Sequence, residues 1–130
     1  MTEKKHSFSK TERLKNNKEI SRVIKDGIFL FSEHISLTYI ESTDLNSGFN
    51  KVAVSIPKKK FKSAVKRNKL KRQIKEVYRL NKDIINTVSD ETAVYYDMMF
   101  IYRLKVMIPF QSIKDEVLSL LNKMSGRIKP

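Results

Sequence analysis

The stretch whose reading decides the architecture is KKKFKSAVKRNKLKRQIKEVYR, Lys58 to Arg79. Ser63 stands where a helix N-cap is wanted, because its hydroxyl can accept from an orphan backbone N–H of the first turn. Beyond it Val65, Leu70, Ile74, Val77 and Tyr78 recur at helical spacing, while Arg67, Asn68, Lys71, Arg72, Lys75 and Arg79 take the other side. The spacing predicts one amphipathic helix reaching Leu80, with an apolar face on a core and a cationic face turned to an anion. From Lys58 to Arg72 there are nine basic residues and no acid. A structural surface helix gains about 0.2 to 0.5 kcal/mol per Glu–Lys pair at i,i+4; here like charges meet at that spacing and lose about as much. A sequence that keeps this penalty uses the charge. A phosphate backbone is the expected partner, with solubility or an acidic protein partner as the alternatives.

The rest of the chain sharpens that reading. The 130 residues carry 27 Lys and Arg against 14 Asp and Glu, a formal charge of +13. Met1 to Asn50 holds eight basic and seven acidic residues, and Asp83 to Pro130 six of each. Lys51 to Lys82 holds thirteen basic residues and one acid, Glu76, so +12 of the +13 belongs to 32 consecutive residues. A polyanion is the partner such a balance implies. The length suits one domain, and 40% hydrophobic residues suffice for one core. The absence of Cys excludes a disulfide scaffold, a Cys nucleophile and thiolate-held metals. Apolar runs such as Met98 to Tyr102 and Val106 to Phe110 fall far short of the roughly 20 residues of a membrane span. Met1 to Lys15 has no apolar h-region of a secretory signal, so the cytoplasm is expected. His6 and His34 lie in unrelated segments and the acids are scattered, so neither a catalytic residue nor a protein metal site is expected.

Working outward, Thr11 to Asp26 reads as a helix with Leu14, Ile20, Val23 and Ile24 apolar, stopping before Gly27. Ile28 to Phe31 and Ile35 to Glu41 read as strands, Ser42 to Asn50 as a loop, and Lys51 to Ile56 as a strand closed by Pro57. After the basic helix, Asn81 to Thr92 reads as a polar connection and Asp97 to Arg103 as a buried strand. Leu104 to Gln111 connects to a helix over Ser112 to Lys123, with Ile113, Val117, Leu120 and Leu121 inward and Ser112 to Asp115 close to a capping box. No internal repeat is visible. The expectation is an α+β domain: a two-layer sandwich with a mainly antiparallel four-stranded sheet and about three helices, in the order α-β-β-β-α-β-α. Residues 1–12 are expected to form a flexible basic tail, 13–124 the single RNA-binding domain, and 125–130 a C-terminal tail.

The run Lys58 to Arg79 resembles the signature of the bacterial ribonuclease P protein subunit family: a Lys-Lys pair after a strand, then an Arg-Asn-basic triplet opening a basic helix. RLKNNKEISRVIKDG, Arg13 to Gly27, looks like that family's first helix, and KVAVSIPKK, Lys51 to Lys59, like its strand entering the basic loop. DMMFIYR, Asp97 to Arg103, and the final helix match its last strand and helix. The resemblance covers roughly Arg13 to Lys123. It implies a ribosomal protein S5 domain 2-like fold. It also implies a protein that is monomeric alone and binds a catalytic RNA and precursor transfer RNA. Removal of the 5′ leader is then performed by RNA with bound Mg2+. Carried over, the RNA-binding residues are Lys58, Lys59, Lys60, Lys62, Lys66, Arg67, Asn68, Lys69, Lys71, Arg72 and Lys75. Lys69 stands where the family usually has Arg, keeping the charge without the planar fork, and Lys58, Lys59 and Lys60 form a triplet where a pair is common. The leader-binding cleft falls to Ile20, Ile24, Thr38 and Tyr39. Aromatics are usual at the positions of Ile20 and Ile24, so base stacking, worth about 1 to 3 kcal/mol per base, is lost there. Tyr39, or Phe29 and Phe31, are the aromatics available to compensate, against the commoner use of strand aromatics as core. The alternative is a ribosomal or other structured-RNA-binding protein. DNA binding finds no helix–turn–helix spacing and no dimerisation heptads.

Overall fold

The computed structural model describes residues 12–44, 48–59 and 61–130. The elements in chain order are α1 (Asn17–Asp26), β1 (Ile28–Phe31), β2 (Ile35–Glu41), β3 (Lys51–Ser55), α2 (Ala64–Asn81), α3 (Asp83–Thr92), β4 (Tyr96–Tyr102) and α4 (Phe110–Ile128). The strands lie in the order β1-β2-β4-β3. β2 is antiparallel to both β1 and β4, whereas β3 and β4 are parallel. A parallel neighbour needs a long crossover, which α2 and α3 supply. The fold is therefore the expected α+β class on a mixed sheet, with four helices where about three were expected. No helix among the described residues is long and apolar enough to cross a membrane.

Strand alternation divides the sheet into two chemically different faces. Leu30, Leu37, Tyr39, Val52, Met98 and Phe100 point to one side and pack with Leu70, Ile74 and Tyr78 of α2, Ile85 of α3 and Val117 and Leu120 of α4 in the main core. Met99 points the other way and meets Leu14, Val23 and Ile20 in a smaller cluster under α1. Gly27 lets α1 close on β2: a Cβ there would overlap the Val23 carbonyl and the Thr38 hydroxyl.

Four local readings are corrected. The first helix begins at Asn17 rather than Thr11, because the Asn16 side chain caps it, accepting from the N–H groups of Lys18 at 2.9 Å and Glu19 at 3.3 Å. Leu14 instead runs alongside β3, donating its N–H to the Val52 carbonyl at 3.0 Å. Asn81 to Thr92 is not a polar connection. It carries α3, whose Ile85 and Val88 are buried among Asn, Thr and Ser that mask the periodicity. Ser112 is no cap, since α4 starts at Phe110 after Pro109 and Gln111 pairs with Asp115 at 2.9 Å; a proline fixed near helical φ makes an early start favourable. Val65 is 80% exposed, so it is not part of the core face. At the end of the chain, α4 continues to Ile128 with Ser125 buried, so helix occupies most of the expected tail from residue 125.

The turn between β1 and β2 is pinned to α4 by one carboxylate. Glu116 accepts from the Ser32 hydroxyl, from the N–H groups of His34 at 2.7 Å and Ile35 at 3.0 Å, and meets His34 Nδ1 at 2.5 Å. Burial pushes this carboxyl up, but the hydrogen bonds from Ser32, His34 and Ile35 outweigh it and hold it below its ordinary 4.5. A depressed folded-state value means that the associated stability is present above the unfolded carboxylate range and is lost as pH falls through the folded value. Thermal melts are expected to show Tm falling on acidification below about pH 4.5. Glu116→Gln should lower Tm at neutral pH and flatten that acid limb; an unchanged limb would refute the assignment.

Candidate nucleic-acid interface

α2 carries the cationic strip because its sequence puts four large apolar side chains, Leu70, Ile74, Val77 and Tyr78, into the core and leaves the remaining positions exposed or half-buried. Ser63 caps it as expected, accepting from the Lys66 N–H at 3.3 Å. Lys66, Asn68, Lys69 and Arg72 are exposed, as are Lys58, Lys59 and Lys62 in the preceding loop. Lys60 lies outside the described residues. Arg67 has a structural duty: its Nη1 donates to the carbonyls of Phe61 at 2.7 Å and Lys62 at 2.8 Å, bracing the loop that presents the other lysines. Arg79 is engaged by Glu76, the one acid of the basic stretch.

Lys71 and Lys75 turn from the strip toward a groove of about 530 Å³. Its rim adds Arg13, Lys15 and Lys58, and its floor is apolar, with Leu14, Ile20, Ala53 and Met99. Burial lowers the affinity of Lys75 for its proton, and the charges of Arg13 and Lys71 lower it further. Cations crowded at the rim of a groove with an apolar floor are suited to a chain of phosphates whose bases lie inward. Arg13 and Lys15 escape sequence reasoning, because their place in the groove follows from Leu14 joining β3 instead of α1.

Of the four expected cleft residues, Ile20 lines this groove, whereas Ile24 does not line it and is 46% exposed. Thr38 lies fully buried beneath α1, donating its hydroxyl to the Val23 carbonyl at 3.1 Å. Tyr39 is on the opposite face, packed edge-on to Tyr96 at 5.8 Å, and the expectation of a cleft contact there is overturned. The reason is elementary: adjacent strand residues point to opposite faces, so Thr38 and Tyr39 cannot line one cleft together. Ser32, His34 and Glu116 form no nucleophile, because the Ser32 hydroxyl donates to the carboxylate. Among the described residues no group of three or more His, Asp or Glu is placed to hold a metal ion.

Comparisons with known proteins converge on one family. A family model described as Ribonuclease P matches residues 8–125. The chain is 30% identical over 121 residues to a ribonuclease P protein component of Porphyromonas gingivalis, covering 93% of this chain and 88% of that one. It is 32% identical over 125 residues to the same component of Petrotoga mobilis, covering 92% and 97%. Among solved structures, the RNase P protein of Thermotoga maritima matches in fold with TM-score 0.68 at 24% identity, over 86% of this chain and 96% of that one. An RNase P protein of Staphylococcus aureus matches with TM-score 0.69 at 23% identity, over 87% and 94%.

Proposed function

Because the chain belongs to the ribonuclease P protein family, we propose that its cationic strip grips the catalytic RNA while the groove under α1 receives the 5′ leader of precursor transfer RNA. The observation that carries this reading is the groove itself, with five cations around an apolar floor, opening directly onto the strip through Lys71 and Lys75. Exposed Lys66, Lys69 and Arg72 supply phosphate contacts that position a folded RNA without reading its sequence. The groove rim holds the leader phosphates and orients the strand, and Ile20 and Met99 give its bases apolar contact. Hydrolysis belongs to the RNA and its bound magnesium; the protein binds, orients and neutralises. On this reading the chain is a cytoplasmic monomer until it meets its RNA.

Reconstitution tests the reading. The purified protein alone should leave precursor transfer RNA intact. Adding a bacterial-type catalytic RNA at low magnesium should give 5′ maturation that neither component gives by itself. Cleavage by the isolated protein, or no stimulation of the RNA, would overturn it. Equal affinity for 5′-extended and mature transfer RNA in gel shifts would favour a general structured-RNA-binding role instead.

A further inference from the structure

α2 turns cations to three sides. Lys69 and Arg72 form its outward crest, and Lys71 and Lys75 wall the groove under α1. At about 100° per residue, Lys66 stands roughly 140° and 180° around the helix from those two. On that third side the basic loop and the first turn of α2 meet the connection between β4 and α4 at a second groove, of about 340 Å³. Lys62 and Lys66 line it from the loop and the helix, and Lys105 lines it from the connection. All three lysines are exposed. Among the described residues no acid lines this groove, and none of the three forms an ion pair.

The connection that carries Lys105 is held in place. The Tyr102 side chain is buried, and its hydroxyl donates to the Val106 carbonyl at 2.6 Å and accepts from the Ile108 N–H at 3.1 Å. The backbone on both sides of Met107 is thereby tied to β4. The same ring packs edge-on to Phe61, with centroids 6.4 Å apart. Phe61 in turn accepts from Arg67 at 2.7 Å through its carbonyl. Loop, helix and connection are therefore joined through one aromatic contact, which fixes the backbone of Lys105 relative to Lys62 and Lys66. Sequence alone gives Lys105 no part in a cationic surface, because it belongs to Asp83 to Pro130, where six basic and six acidic residues cancel.

We infer that Lys105, with Lys62 and Lys66, forms a phosphate clamp for the catalytic RNA on the side of α2 away from the leader groove. A concave surface lined by one sign of charge concentrates its field, and cations left unpaired around it repel one another until a polyanion enters. The clamp is continuous with the crest of α2 through Lys66 and Lys69, neighbours three residues apart. A folded RNA seated on that crest is broader than the about 10 to 12 Å of one helix, so its backbone comes down over a flank. The groove flank is taken by a single strand, which leaves this one. The tethered backbone of the connection keeps the ordering cost of the grip small. The contact is to phosphates and reads no sequence. The identity of the RNA rests on the proposed function.

The test is filter binding of the full chain to a bacterial-type catalytic RNA over a range of salt. Lys105→Ala should flatten the log–log slope by about 0.7 to 0.9 of a unit and weaken binding about fivefold near physiological salt. Lys105→Arg keeps the charge and should keep the slope. The side chain is exposed, so both variants should fold as wild type does, which circular dichroism checks. Because the chain has no Cys, Lys66→Cys and Lys105→Cys each supply a single thiol for a tethered iron–EDTA reagent. Both reagents should cut the catalytic RNA within the same few nucleotides. Cuts at separate places would overturn the clamp, as would a Lys105→Ala variant that narrows the preference for 5′-extended over mature transfer RNA, since Lys105 would then serve the leader. A wild type that stimulates cleavage, with the slope unchanged in Lys105→Ala, overturns the clamp alone. A wild type that binds no catalytic RNA overturns the clamp and the proposed function together.

Discussion

Replacing Lys66, Lys69 and Arg72 together by alanine should weaken binding to the catalytic RNA on the order of a hundredfold near physiological salt and flatten the log–log salt slope by about two to three units. Each phosphate contact releases about 0.7 to 0.9 of a counterion, so the slope counts contacts directly. The three side chains are exposed and stand three residues apart along one ridge of α2. None is in the core, so thermal stability should change little or rise as like charges are removed. Lys71 and Lys75 would be poorer probes, since both are half-buried at the groove and their aliphatic stems form its wall. Arg67→Ala would be worse still, because losing the brace to Phe61 and Lys62 disturbs the loop as well as the charge. Lys114→Ala, on exposed α4 surface, is the control and should leave the slope unchanged. Filter binding at several salt concentrations measures all of this. A triple variant with the wild-type slope would mean that the ridge faces away from RNA.

What the sequence discloses follows from how local each signal is. The basic helix was legible because its cap, apolar spacing and charge all lie within Ser63 to Arg79, and so were the strands, whose alternation spans only neighbours. The start of α1 was misread because Leu14 was grouped with the apolar residues that follow it, yet the Asn16 cap and the Val52 carbonyl claim the backbone on either side of it. α3 was missed because its buried Ser89 is polar for a tertiary reason: it exchanges hydrogen bonds with buried Asn50, whose Oδ1 also accepts from the Tyr96 N–H at 2.7 Å. Pattern reading prices such a residue as solvent-exposed. The groove was legible only in part. Ile20 lines it, but Tyr39, placed beside Thr38 in the expected cleft, points to the other face by strand alternation, and Arg13 and Lys15 depend on a contact between segments that lie far apart in sequence. Phe29 and Phe31 could have been separated from Leu30 by the same alternation, which fixes faces but not which face is left open.

Glu12→Ala should cost about 3 to 5 kcal/mol, a large share of the 5 to 15 kcal/mol that holds a typical domain together. Glu12 falls at the end of the segment expected to be a free tail, yet it is buried, and its Oε2 accepts from Lys82 Nζ at 2.7 Å. The two side chains retain only 11% and 7% of their exposure. A pair so enclosed gains from mutual attraction roughly what it lost in desolvation, so its presence adds little; removing one member takes from the other, still in the interior, its opposite charge at 2.7 Å. The asymmetry gives the test its shape. Glu12→Ala and Lys82→Ala should each be strongly destabilising in urea melts, whereas Glu12→Leu/Lys82→Met should recover much of the loss. Single-variant losses under about 1 kcal/mol would show a pair solvated like a surface one. The consequence reaches the groove, because Arg13 follows Glu12 directly and Leu14 forms part of the floor. Releasing Glu12 frees that wall. At temperatures where the domain still folds, Glu12→Ala should therefore narrow the preference for 5′-extended over mature transfer RNA, while the salt slope contributed by Lys66, Lys69 and Arg72 persists.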